Sequence, residues 1–378
     1  MVVLGNYCWN LQIKEIREMK ILFVTDSLSF GGAAKMLVFV AEGLAKKGHE
    51  CFIVNLNTSK LLDRMPSQKV KVFNADIIFK NSAKTNYQWI KYTYSIVKSV
   101  SPSVIIGFAT LGNFCASLVG KLLSIPSIIA ERSDPFHVYS KINRLGKLKL
   151  TIINQATGAV FQSEGASKFY SKRITRHSAI IPNPIFVEGS IPPVDYNELP
   201  KTIVSLGRLD NKQKRFDVLL KGFKAFHDSH PDYCLNIYGS GADEGFVQNI
   251  IDKFYLNNCV SMKGKTNKPM EILSTEGIFV ITSDFEGISN SLMEAMAVGL
   301  PVISTDHSPG GARMLIKDHS NGLLIPTNDP EALANALSEF ADNNDLARSC
   351  GTNARQILSK YTPEKCIENW ESFLKSIV

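Results

Sequence analysis

No apolar run of about 18 residues occurs in the chain, and its most apolar region, 104–130, is broken by Asn113, Lys121 and Pro126. Hydropathy therefore excludes a membrane-spanning helix. The first 18 residues have neither a basic start nor an apolar core, so they do not read as a secretory signal. Cysteine is sparse and scattered: the seven thiols, from Cys8 to Cys366, form no Cys-x-x-Cys and are odd in number, which argues against a disulfide framework and for reduced structural thiols. No Asp-x-Asp occurs, so no paired-aspartate metal motif is present, and Asp284-Phe285-Glu286 is read as a strand end rather than a metal ligand set. No Gly-x-Gly-x-x-Gly follows the first strand and no acidic residue clearly closes the second, which removes the usual dinucleotide fingerprint. Aromatic and basic residues are not interleaved as in a nucleic-acid module, and no nucleic-acid partner is expected.

What is present is a globular composition, 44% hydrophobic and 20% charged over 378 residues, long enough for two domains. Charge is divided unevenly. Residues 1–185 carry 24 Lys and Arg against 10 Asp and Glu, a net of +14, whereas the remainder carries 18 against 25, a net of −7. By charge alone a basic half of this kind meets something anionic, with a membrane surface, a phosphorylated acceptor and nucleic acid as candidates.

Apolar runs alternate with amphipathic stretches along the chain, the pattern of parallel sheets covered by helices. A strand at 20–25 leads into a glycine turn, Ser29-Phe30-Gly31-Gly32, then a helix at 33–47 and a strand at 50–56. Further strands are expected near 70–73, 103–107 and 127–130, with a helix near 87–100, and 159–163 is read as the last strand of the first domain. The strand at 127–130 ends in Glu131-Arg132-Ser133-Asp134-Pro135, polar residues placed where a parallel strand delivers side chains to a cleft. Lys141, Arg144, Lys147 and Lys149 follow on a helix near 141–150 and form a candidate membrane-facing cluster.

The densest stretch runs from 277 to 304. Gly277-Ile278-Phe279-Val280-Ile281-Thr282 reads as a buried strand, Leu292, Met293, Ala295 and Met296 as a packed helix, and Gly299 and Pro301 as its stop before the strand at 302–303. Ser289 or Asn290 caps that helix, leaving its first N–H groups at the carboxyl edge of the sheet, a setting that favours an anion. Glu286 stands in the loop and Glu294 one turn inside the helix.

Glu-Gly followed by Glu-Ala-Met-Ala-x-Gly-x-Pro-Val, with the two glutamates eight apart, resembles the signature of family 4 retaining glycosyltransferases of GT-B fold. The segment Gly207-Arg208-Leu209 with Lys214 resembles that family's diphosphate-binding Gly-Arg-Leu…Lys, and Arg215 stands where relatives often have glycine. The resemblance implies two Rossmann-like α/β domains whose parallel sheets face a central cleft, with a C-terminal helix crossing back to the first. The division expected is 1–18 as a non-native or loose extension, 19–188 as an acceptor domain, 189–360 as a donor domain that opens on a proline-rich linker at 189–200, and 361–378 as the crossing helix.

By the same resemblance Glu286 meets the transferred sugar, Arg208 and Lys214 neutralise the departing diphosphate, and the amides from Ile288 through Ser289 and Asn290 to Ser291 hold it. Glu294 takes the ribose hydroxyls; Gly264, Lys265 and Thr266 lie by the base; Gly31 and Gly32 lie near the donor phosphate. Arg132 and Asp134 are candidates to face the acceptor. The family's sugar-contacting histidine is not matched, His137 being the nearest. No metal or other cofactor is expected beyond the nucleotide sugar itself. The expected partners are a UDP-linked sugar, a lipid-diphosphate-linked or oligosaccharide acceptor and an anionic membrane surface on the cytoplasmic side. The alternative is a non-catalytic nucleotide-sugar or dinucleotide-binding protein.

Overall fold

A computed structural model describes residues 18–28, 32–57, 66–75, 77, 83–187, 189 and 194–378. The extension expected before residue 19, except residue 18 itself, lies outside the described residues, as do Gly31 and residues 190–193 of the expected linker.

Two parallel sheets account for the described strands. The first contains β1 (Lys20–Thr25), β2 (Glu50–Asn55), β3 (Val70–Asn74), β4 (Val104–Phe108), β5 (Ser127–Glu131), β6 (Gly158–Phe161) and β7 (Ser178–Ile180), in the order β3-β2-β1-β4-β5-β6-β7. The second contains β8 (Thr202–Leu206), β9 (Cys234–Tyr238), β10 (Val260–Gly264), β11 (Ile278–Ile281), β12 (Val302–Thr305) and β13 (Leu323–Ile325), ordered β10-β9-β8-β11-β12-β13. Both orders reverse once, between β1 and β4 and between β8 and β11. At such a reversal the connecting helices leave on opposite faces, and a crevice opens beyond the carboxyl ends of the two strands.

The central strands are buried on both faces, which explains their unbroken apolar runs: β4, β5, β11 and β12 have no exposed residue. The last strand of the first sheet is not the expected 159–163 but β7. Its three residues are each only half-buried, so burial left no apolar run to read there.

The helix Pro363–Ile377 crosses back to the first sheet. Thr362 caps it by accepting from Lys365 N, Pro363 occupies its first turn, and its buried stripe includes Ile367, Trp370, Phe373 and Leu374. That stripe enters the core formed by Phe23, Val40, Ile106 and Phe108, and Trp370 stacks on Phe108 with centroids 6.0 Å apart. Truncating Trp370 here would cost about 3–5 kcal/mol, so the chain terminus is part of the first domain's core.

Candidate functional site

A cleft of about 490 Å³ lies where the two sheets' carboxyl ends face each other. One wall comes from residues just past strands of the second sheet: Gly207 and Arg208 after β8, and Glu286 to Ser291 after β11. The other comes from the first domain, with Gly32 and Ala33 at the start of the helix Gly32–Lys46, Arg132 after β5, Gln162 after β6 and Asn183 after β7.

Lys214 and Glu286 meet as an ion pair between Nζ and Oε1, their side chains only 14% and 12% exposed. Ser283 Oγ also donates to Glu286 Oε1 (3.1 Å), and the backbone N–H of Glu286 donates to Ser308 O (2.9 Å). The carboxylate is thus fixed from two sides. Gly207 makes room for its partner: a Cβ there would lie 3.1 Å from Lys214 Cε and 3.3 Å from Nζ. Arg208, by contrast, is 65% exposed, and its Nη2 donates to Asp210 Oδ2 (3.2 Å) and Gln213 Oε1 (2.9 Å). Gln213 in turn donates to Phe285 O (3.1 Å), which ties the basic loop to the glutamate loop. Gln213 lines the cleft and was not singled out in the sequence, where it sits among lysines without a motif of its own.

Arg215 occupies left-handed backbone, φ +52°, the region that favours glycine. Its guanidinium offsets the strain with contacts to Asp217 (3.0 and 3.1 Å), Asn328 (2.6 Å) and Asp284 (2.8 Å). Asp284 is therefore held by an arginine at the strand end.

The helix Asn290–Val298 is capped by Ser289, whose Oγ accepts from Leu292 N (3.4 Å), and closed by Gly299 at φ +93°. Its first turn lines the cleft together with Glu294. Burial pushes the Glu294 carboxyl up to about 7, outweighing the opposing pull of the Lys35 ammonium. A carboxylate in this setting lacks solvation and gains from any ligand that donates to both oxygens.

The two walls touch through the loop 285–287. Phe285 stacks on His137, with centroids 3.5 Å apart and planes 10° from parallel. A Cβ on Gly287 would lie 2.2 Å from Gln162 Oε1, and one on Gly165 would overlap Pro309 O at 1.5 Å, so only glycine allows this approach. Asn183 Nδ2 donates to Asn290 Oδ1 (2.9 Å), joining the segment after β7 to the start of the helix Asn290–Val298. His307, fully buried beside Glu286, has its pKa lowered by burial, and its Nε2 has no hydrogen-bond partner among the described residues. Gln162, Asn183 and His307 were not read as site residues, because each acts through a contact between segments far apart in the chain.

Several expectations need correction. Asp134 does not line the cleft: it is buried and caps the short helix Pro135–Val138 by accepting from Phe136 N (2.9 Å). Arg132 does line it, but its guanidinium is buried against Phe108 and Trp370 and donates to Ile181 O (3.1 Å), so it braces the end of β7 and the crossing helix. Gly264, Lys265 and Thr266 lie at the end of the edge strand β10, outside the cleft lining. Lys149 does not belong to an outward cluster, because its ammonium turns inward to Asn86 Oδ1 (3.1 Å) and the Phe114 ring. Among the described residues no group of three or more His, Cys, Asp or Glu is placed to hold a metal ion, and no helix is long and apolar enough to cross a membrane.

Residues 191–357 match the family model described as "Glycosyl transferases group 1". An uncharacterized glycosyltransferase of Haemophilus influenzae is 25% identical over 360 residues, 93% of this chain and 98% of that protein. A Campylobacter jejuni enzyme, GalNAc-alpha-(1->4)-GalNAc-alpha-(1->3)-diNAcBac-PP-undecaprenol alpha-1,4-N-acetyl-D-galactosaminyltransferase, is 23% identical over 364 residues, 95% of this chain and 99% of that one. Other curated relatives, including an exopolysaccharide phosphotransferase of Streptomyces coelicolor, are matched over 19–44% of their own length. Among solved structures, the lipopolysaccharide outer core galactosyltransferase WaaB superposes with a TM-score of 0.79 at 19% identity, covering 95% of this chain and 100% of that one. Anabaena Alr3699/HepE, in complex with UDP and glucose, gives 0.74 at 16% identity with the same coverage. The two-sheet GT-B architecture expected from the sequence is the one observed.

Proposed function

We propose that this chain, a GT-B glycosyltransferase, works as a family 4 retaining enzyme that moves a hexosyl or N-acetylhexosaminyl unit from a UDP-linked donor to a lipid-diphosphate-linked or oligosaccharide acceptor in surface-polysaccharide assembly. The observation that carries this reading is the convergence in one cleft of the Lys214–Glu286 pair, the buried Glu294 and the first turn of the helix Asn290–Val298.

Each group has a task its chemistry suits. The helix start offers N–H groups to the donor diphosphate, and Arg208, exposed at the cleft mouth, adds a planar fork of donors. Lys214 stands between that anion and Glu286, so an incoming diphosphate shares the ammonium and Glu286 is left facing the sugar. As the bond from the anomeric carbon to the diphosphate breaks, negative charge grows on the leaving group and positive charge on the sugar. Fixed cations and a fixed carboxylate stabilise both in a cleft that needs no reorganisation. Glu294 accepts from the vicinal ribose hydroxyls. These charges make transfer independent of a divalent metal.

A UDP donor is supported by the neighbour that holds UDP and glucose, and a lipid-diphosphate acceptor by the Campylobacter relative whose substrate is an undecaprenol-linked saccharide. The basic first half would then keep the enzyme at the anionic cytoplasmic face of the membrane. Release of UDP from a panel of UDP-sugars by the purified chain, with a bacterial membrane lipid extract supplying the acceptor, tests the reading. Release from at least one donor, lost in Glu286→Gln and in Lys214→Ala, is expected; binding without release from any donor would leave a non-catalytic binder.

A further inference from the structure

The loop that carries Glu286 is held along its length by the end of β12 and the segment after it. Thr305 Oγ1 donates to Ser283 O (2.6 Å), the N–H of Ser308 donates to Asp284 O (3.3 Å), and the N–H of Glu286 donates back to Ser308 O (2.9 Å). Phe285 and Ser308 form an isolated parallel bridge between the two segments. They are closely packed beyond it as well, since a Cβ on Gly311 would lie 2.0 Å from Gly287 O and 3.4 Å from His307 Cε1. His307 therefore sits inside this ladder, and its side chain is wholly buried.

The imidazole has one hydrogen bond there: Nδ1 lies 3.2 Å from Ser308 O. A carbonyl oxygen only accepts, so Nδ1 carries the proton, and the carbonyl that receives the Glu286 N–H receives the imidazole N–H as well. Burial disfavours a second proton on the ring, which leaves Nε2 as a buried acceptor with no donor among the described residues. An acceptor left in that state destabilises the fold, and a leucine of similar volume would not carry one. Packing alone therefore does not account for a histidine at this position.

We infer that His307 is a positioning residue: through its Nδ1–H it fixes the carbonyl of Ser308, and through that carbonyl it sets the place of Glu286 in the cleft. The inference rests on the role proposed for Glu286. It matters most once the donor diphosphate draws Lys214 away, because the contacts that still hold Glu286 are then Ser283 Oγ on its carboxylate and Ser308 O on its backbone.

Substitutions at His307 separate this role from packing. The Nδ2 of asparagine falls where the imidazole Nδ1 stands, the amide of glutamine lies one atom further out, and leucine has no donor. With a UDP-sugar and a bacterial membrane lipid extract, His307→Leu and His307→Gln should release UDP at least about ten-fold more slowly than wild type, as expected when a reacting group is misplaced by a fraction of an ångström. His307→Asn should stay close to wild type, and donor affinity by calorimetry should be unchanged in all three. Hydrogen exchange read by mass spectrometry should be faster than wild type in the peptide containing Glu286 for His307→Leu and His307→Gln, and at the wild-type rate for His307→Asn. Should the leucine protein fail to fold, the contrast between asparagine and glutamine carries the test. Wild-type turnover or wild-type exchange in both His307→Leu and His307→Gln, a loss of turnover in His307→Asn equal to theirs, or donor affinity lost together with turnover would overturn the inference. If UDP release fails in every protein, wild type included, while the exchange contrast is as expected, the role proposed for Glu286 falls and the placement of its loop by His307 stands.

Discussion

Raising pH should tighten donor binding through one residue, Glu294. Burial holds its carboxyl at about 7 instead of the ordinary 4.5. In the proposed role only the ionised form would offer both oxygens to the ribose hydroxyls, and with a pKa near 7 about a tenth of the protein carries it at pH 6 and about nine tenths at pH 8. The dissociation constant of a UDP-sugar should therefore fall about ten-fold between those values, or about 1.4 kcal/mol. A nucleotide sugar is the ligand to use, since a free terminal phosphate titrates near pH 6 and would mask the effect. Calorimetry in buffers of different ionisation enthalpy should show about 0.9 proton released per donor bound at pH 6 and almost none at pH 8. Stability gives an independent check of the sign. A carboxyl whose folded pKa is raised loses stability as pH climbs from its unfolded 4.5 through about 7, so Glu294→Gln without donor should unfold at a higher temperature than wild type at pH 8 and not at pH 4. Affinity that does not change with pH, or a pH dependence kept in Glu294→Gln, would refute the role given to this residue.

Four further outcomes are expected. Glu286→Gln should lower turnover by at least about 100-fold, on the scale of removing one electrostatic group from a reacting centre, while changing UDP affinity little; a matching loss of affinity would move Glu286 to donor binding. Gly207→Ala should lower turnover while leaving the fold intact, because its Cβ displaces the Lys214 ammonium by a few tenths of an ångström from a 3.1–3.3 Å contact; wild-type turnover would show that Lys214 is not held to its place. Arg215→Ala should be about 1 kcal/mol less stable than Arg215→Gly in urea titrations, since both lose the contacts to Asp217 and Asp284 but only alanine keeps the left-handed strain; equal stability would refute the strain argument. Turnover should be unchanged by a chelator, and activity lost in chelator and restored by Mg²⁺ or Mn²⁺ would contradict the account of the leaving group.

The fold was legible wherever burial on both faces forces an apolar run, as in β1, β4, β5, β11 and β12. β7 was missed because three half-buried residues at a sheet edge leave no such mark. The candidate site's geometry was legible where its parts fall in one segment: Glu286, the Ser289 cap, Glu294 and the Gly299 stop are close in sequence, and Lys214 has a motif. Asp134 misled because its place after a strand suggested a cleft, although Asp before Pro is equally a helix start, and the cap prevails. Lys149 misled because its direction is set by Asn86, 63 residues away. Gln162, Asn183 and His307 owe their positions to contacts across the cleft or within its walls, and no spacing in the chain encodes those.

The central claim, that this cleft transfers a sugar, is tested most directly by mass spectrometry of the acceptor. Purified chain would be incubated with individual UDP-sugars and a bacterial membrane lipid extract in the presence of chelator, beside the Glu286→Gln and Lys214→Ala proteins. Wild type should add one sugar residue to a lipid-linked saccharide with one donor, and both variants should fail to do so while remaining folded. Absence of any sugar addition by wild type across donors and extracts, or addition that persists undiminished in both variants, would contradict the account.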